Sequence, residues 1–168
     1  MSRRGTVYAI TPDEAERLLA LVGNDEAVAR EALDLYSIDR AKSHFIAAMD
    51  KSWDILHRCL TDGTLRDLGK GITPLSWCLL GGKSLHAGKE FIICYVTADQ
   101  VAQVAEALDK IEPHWLVGRY RSNLQAGGYE GPISNEDFEY TWDYFTGVRN
   151  LYSKAAGANR AMVFVTDQ

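Results

Sequence analysis

The sequence predicts an α+β domain: a mainly antiparallel sheet of about four strands packed with about four to six helices. Short runs rich in β-branched and apolar residues, at 6–10, 75–80, 90–96 and 161–165, have the length of strands. Between them lie longer segments whose apolar residues recur every three or four positions, several of them opened by a capping signature. The connection between the second and third runs is short and contains glycine. That suits an antiparallel pair, because a parallel crossover needs about a dozen or more residues.

The first strand, 6–10, ends at Thr11-Pro12-Asp13-Glu14. This places a capping threonine, a proline at the first helical position and a glutamate at the third. Leu18, Leu19 and Val22 then share a stripe that Gly23-Asn24 closes, and Asn24 caps a second helix with Val28, Ala32, Leu35 and Tyr36 facing inward. Residues 37–48 fit helix or loop equally. Asp50 reads as the cap of the next helix, with Met49, Trp53, Leu56 and Leu60 on one face and residues 61–64 as its terminator.

A glycine-punctuated loop leads to the buried run 75–80, then Gly81-Gly82 as a turn or bulge, then the strand 90–96. Thr97 and Gln100 form a capping box before Val101, Val104, Leu108 and Ile111, and Pro113 stops that helix. Residues 114–132 read as irregular. Ser134 opens a long helix with Phe138, Trp142, Phe145 and Tyr152 inside, and the strand 161–165 follows.

A length of 168 residues suits one domain spanning 1–168, with enough core to need neither disulfides nor metals. Hydrophobic residues at 46% and charged residues at 24% are ordinary for a folded protein. A net charge of -5 and a pI near 5.3 disfavour nucleic-acid binding, which relies on Lys and Arg neutralising phosphates. No apolar run approaches the roughly 20 residues of a membrane span. Arg3-Arg4 is followed by too short an apolar stretch for an export signal, so a cytoplasmic location is expected. Cys59, Cys78 and Cys94 sit among apolar neighbours without metal-ligand spacing and read as buried, reduced thiols.

The segment Met49-Asp50-Lys51-Ser52-Trp53-Asp54-Ile55-Leu56-His57-Arg58-Cys59-Leu60-Thr61-Asp62-Gly63 resembles a helix of the YfbM-like family of uncharacterised bacterial proteins. Pro74-Leu75 through Leu80-Gly81-Gly82, the passage Tyr95-Val96-Thr97-Ala98-Asp99-Gln100-Val101, and the late aromatic helix with Tyr144-Phe145 and Tyr152 resemble its following pieces in order. The likeness covers nearly the whole chain and departs at 37–48 and 118–131. It implies a small cytosolic α+β domain and brings no catalytic residue, substrate or cofactor.

Several groups of residues are candidates for chemistry. Gly81-Gly82-Lys83-Ser84 has the tail of a phosphate loop, but Trp77 occupies the place of its first glycine and a strand follows instead of a helix. Asp50, Asp54 and His57 share a helical stripe beside Trp53 and Leu56, and an Asp–His pair can orient an imidazole as a base. No nucleophile accompanies them, so the plainer reading has Asp50 capping and His57 packed at the core margin with local hydrogen bonds. The histidines lack ligand spacing, and neither metal nor cofactor is expected. Arg119-Tyr120-Arg121 near Trp115 could stack a base, but it is a small motif in an acidic chain.

The strongest asymmetry is late. Between Arg121 and Arg149 there is no Lys or Arg, while Glu130, Glu136, Asp137, Glu139 and Asp143 alternate with Tyr129, Phe138, Tyr140, Trp142 and Tyr144. With Phe138 and Trp142 assigned to the core, Tyr129 and Tyr140 remain as amphipathic rings among carboxylates, a composition suited to a basic protein surface. The expectation is a non-enzymatic binding module, of which an immunity-type protein that occludes a toxin is the concrete form. The alternative is a small-molecule site or enzyme pocket around Trp53, Asp54 and His57.

Overall fold

The computed structural model describes residues 3–42, 44–66 and 68–167, and one five-stranded sheet organises them. In chain order the elements begin with β1 (Gly5–Ile10), α1 (Pro12–Ala20), α2 (Asp25–Lys42) and β2 (Ile46–Asp50). They continue with α3 (Ser52–Leu60), α4 (Pro74–Trp77), β3 (Lys83–Ala87) and β4 (Phe91–Val96). The last are α5 (Ala98–Asp109), α6 (Pro113–Ala126), α7 (Asn135–Gly157) and β5 (Ala161–Asp167). The strand order is β2-β1-β5-β4-β3 and every neighbouring pair is antiparallel. The predicted class holds, with five strands and seven helices among the described residues in place of about four and four to six.

Alternation along the strands sets the layers. Val7, Ala9, Cys94, Val96, Met162 and Phe164 face α3, α5, α6 and α7, whereas Tyr8, Ile10, Ile93, Tyr95 and Val163 face α1 and α2. Both faces of β1, β4 and β5 are therefore buried, which explains why these strands read as continuous apolar runs. The last strand lies between β1 and β4, so the two halves of the sheet join only when the C-terminal segment is in place.

The capping chemistry works as read. Thr11 and Glu14 bond reciprocally to each other's backbone N–H, as do Thr97 and Gln100, and Ser134 Oγ accepts from Asp137 N at 3.1 Å. Asn24 Oδ1 accepts from Ala27 N at the start of α2. Val22 lies beyond α1 and is exposed, not on its inner stripe.

Four local assignments differ from the sequence expectation. The run 75–80 is not a strand but α4 and the turn after it. Thr73 and Ser76 make a third reciprocal box around Pro74, and a helix of four residues is too short to show a period. The partner of β4 is Lys83–Ala87 instead, an edge strand with a bulge between Ser84 and His86. Asp50 does not cap α3. It ends β2 with φ of 46°, Lys51 takes the cap position without a side-chain bond, and Met49 belongs to the strand. The segment 114–132 is largely α6, with Pro113 serving as its first helical residue after α5 has ended.

Candidate functional site

In α7 the period of the helix sorts the late aromatic and acidic residues. Thr141, Phe145, Val148 and Tyr152 are buried, while Glu136, Glu139 and Asp143, three and four apart, form one exposed stripe. Glu130, in the loop before the helix, is exposed as well. Glu136 and Asp137 lie in the first turn, where the helix dipole favours negative charge. None of Glu130, Glu136, Glu139 and Asp143 enters an ion pair among the described residues.

The remaining three residues of the acidic-aromatic set are tied into the fold. Tyr120 donates to Asp137 Oδ2 at 2.6 Å, and its own hydroxyl accepts from Ser134 N at 3.2 Å. Tyr140 donates to Asp50 Oδ2 at 2.8 Å and meets Tyr144 edge-on at 4.9 Å between centroids. Tyr129 lies under the Arg58 guanidinium, 5.8 Å from its ring centre. Partial burial raises the pKa of all three phenols, and the nearby carboxylates add to it: Asp137 for Tyr120, Asp137 and Asp54 for Tyr129, Asp50 for Tyr140. The two tyrosines expected as free rings are thus half-buried. Asp50 and Arg58, which join the face, come from β2 and α3, and no local pattern near α7 pointed to them.

Among the described residues, Trp53, Asp54 and His57, the residues of the expected pocket, line none of the principal grooves. Trp53 is buried, donates Nε1–H to Arg3 O at 3.2 Å and tilts against Phe164. Asp54 is ion-paired with Arg58 at 2.5 Å. His57 is fully buried, and neither ring nitrogen has a hydrogen-bond partner among the described residues, which corrects the expected local bonding. Burial pushes its pKa down to about 4, against a smaller opposing pull from Asp62 and a small further push from Arg58. The three main grooves, of about 370, 620 and 760 Å³, are lined by neither Asp54 nor His57.

The basic motif at 119–121 has a structural task. Arg119 donates to Cys59 O at 3.2 Å and to Thr61 O, Asn123 donates to Arg58 O and Thr61 O at 2.9 and 3.0 Å, and Arg58 reaches Gly63 O and Gly127 O. Arg119 and Asn123 thus satisfy carbonyls at the C-terminal end of α3 that no further turn can reach, and Arg58 ties that end to the end of α6. Tyr120 is buried, and Arg121 reaches Asn135. Lys83 and Ser84 begin β3, so a strand and not a helix follows the two glycines. The thiols of Cys59, Cys78 and Cys94 are buried and their pKa values raised, to about 12 for Cys59 and Cys94. Among the described residues no group of three or more His, Cys, Asp and Glu is placed to hold a metal, and no helix is long and apolar enough to cross a membrane.

No curated protein matches the chain. Among solved structures it is similar to YfbM from Escherichia coli, a protein of unknown function, at 20% identity and a TM-score of 0.64, over 97% of this chain and 99% of that one. At that identity the likeness speaks for the fold. A family model, the domain of unknown function DUF1877, matches residues 1–165, and the chain belongs to that family.

Proposed function

We propose that the protein is a non-enzymatic binding module, acting in the cytoplasm, that engages a protein with a basic surface through the outer face of α7. One observation carries this reading: Glu130, Glu136, Glu139 and Asp143 are exposed and free of ion pairs among the described residues, in a stretch without Lys or Arg. Unpaired carboxylates on one stripe steer a cationic partner and lose little solvation until it docks. The tyrosine–carboxylate bonds beneath hold the stripe in place. Beside the start of α7 a groove of about 370 Å³ is lined by Tyr120, Phe138 and the exposed Ile133 together with the polar Arg121, Gln125 and Asn135, so it adds contact area of mixed character beside the charge. An immunity-type protein that covers a toxin's basic active-site surface is the specific form this reading takes.

Charge reversal tests it. Asp137 is unsuitable because it holds Tyr120, so the variant is Glu136→Lys with Glu139→Lys. A partner captured from native cytosol by the parent should be released by moderate salt and lost by the variant. Equal capture by both proteins, or no capture by either, refutes the reading.

A further inference from the structure

The sheet has two edges, and they are protected to different degrees. On β3, Lys83 and a bulge between Ser84 and His86 blunt the edge, and Lys89 follows in the turn. These are the devices that keep a strand from pairing with foreign chains. On β2 the run Ile46-Ala47-Ala48-Met49 has no charged residue and no proline, and its own irregularity, between the pairs Thr6–Ala48 and Gly5–Asp50, lies at the end of the strand.

Its register shows which amides are open. Ala9 N donates to Phe45 O, and Val7 pairs with Ala47, so residues 45 and 47 turn their backbone groups toward β1. In an antiparallel ladder the alternate residues, Ile46 and Ala48, then point theirs outward. Ala48 is exposed, and no further hydrogen bond to either amide occurs among the described residues. The far end of this strand meets the acidic face directly, through Tyr140 and Asp50 at 2.8 Å.

We infer that the β2 edge takes up an extended, cationic segment of the partner as a sixth strand, with its basic side chains reaching the carboxylates of α7. This rests on the reading of the α7 stripe as a docking face and specifies the backbone geometry of the contact. Strand addition draws its affinity from main-chain bonds and its selectivity from alternate side chains. Charge complementarity selects the occupant. A second copy pairing β2 with β2 would bring two α7 helices and their unpaired carboxylates to one interface, where like charges repel.

The probe is a labelled decapeptide of alternating Lys and Val, titrated by fluorescence anisotropy, with a Glu–Val decapeptide and a Lys–Val peptide N-methylated at every second amide as controls. Ala48→Pro removes an outward N–H without touching the bonds to β1, and Ala48→Lys installs the missing edge charge should the proline unfold the strand. Each should weaken binding about tenfold or more at an unchanged melting temperature. The Ile46 and Ala48 amides should gain protection from hydrogen exchange when the peptide binds.

Binding that survives both Ala48 variants but is abolished by Glu136→Lys with Glu139→Lys overturns strand addition and leaves the acidic-face reading standing. Equal binding of the Glu–Val or N-methylated peptide, or no binding of Lys–Val, overturns the inference. Concentration-dependent dimerisation of the peptide-free protein, abolished by Ala48→Pro, overturns it in favour of a second copy.

Discussion

Replacing His57 by leucine should make the protein more resistant to acid, by an amount the structure sets. The imidazole is fully buried with both nitrogens unpaired among the described residues, so it stays neutral in the fold down to about pH 4. The unfolded chain takes up the proton from its ordinary value of 6.5. Because the folded pKa is the lower one, the unfolded state binds more protons across that window, and stability falls as pH drops from 6.5 toward 4. At about 1.4 kcal/mol per pH unit, the loss from this one group approaches about 2 kcal/mol at pH 5 and about 3 kcal/mol at pH 4.

Urea denaturation of parent and His57→Leu at pH 7, 6, 5 and 4 measures the effect. Titration of carboxylates is common to both proteins, so their difference isolates the histidine. The gap should widen in favour of the variant by about 3 kcal/mol between pH 7 and pH 4. At pH 7 the variant should match or exceed the parent, since leucine leaves no buried nitrogen unpaired. Parallel curves across the pH range, or a variant more than about 2 kcal/mol weaker at pH 7, would refute the reasoning and mean that the ring has a hydrogen-bond partner.

Three further outcomes are expected. Gly63→Ala should lower the melting temperature by several degrees in a thermal scan, because Gly63 has φ of +94° and a Cβ there would sit 2.7 Å from Asn123 O; an unchanged melting temperature would place that contact wrongly. Asn123→Ala should cost about 1–3 kcal/mol in urea denaturation by orphaning the carbonyl of Arg58 and leaving that of Thr61 to Arg119 alone, and Asn123→Asp should not rescue it, since a carboxylate cannot donate. The native protein should react with iodoacetamide at none of its cysteines at pH 8, where burial keeps the thiols protonated, yet react at all three in urea; mass spectrometry counts the adducts.

Legibility followed the range of the determining forces. The starts of α1, α2, α5 and α7 were readable because a cap and its partner are three residues apart, within one turn. The strands β1, β4 and β5 were readable from short β-branched runs. The same criterion misread 75–80, where a helix of four residues is too short to show a period. It also missed β2, whose Ala47 and Ala48 have weak strand propensity and are extended because β1 pairs with them. The helix α6 escaped because Gly118 and a mixed polar surface mask its stripe of Leu116, Tyr120 and Leu124.

The candidate site divides in the same way. The carboxylate stripe at 136, 139 and 143 is a property of helical spacing, so the sequence determined it once Ser134 was placed as the cap. The family likeness was likewise a property of the chain read end to end. Only the tertiary structure decided which polar residues remain available. It joined Tyr140 to Asp50 and Tyr120 to Asp137, sealed His57 in the core, and assigned Arg119 to the carbonyls of α3. These bonds and this burial are relations between residues distant along the chain. Composition and periodicity, which compare each residue with its near neighbours, contain no measure of them.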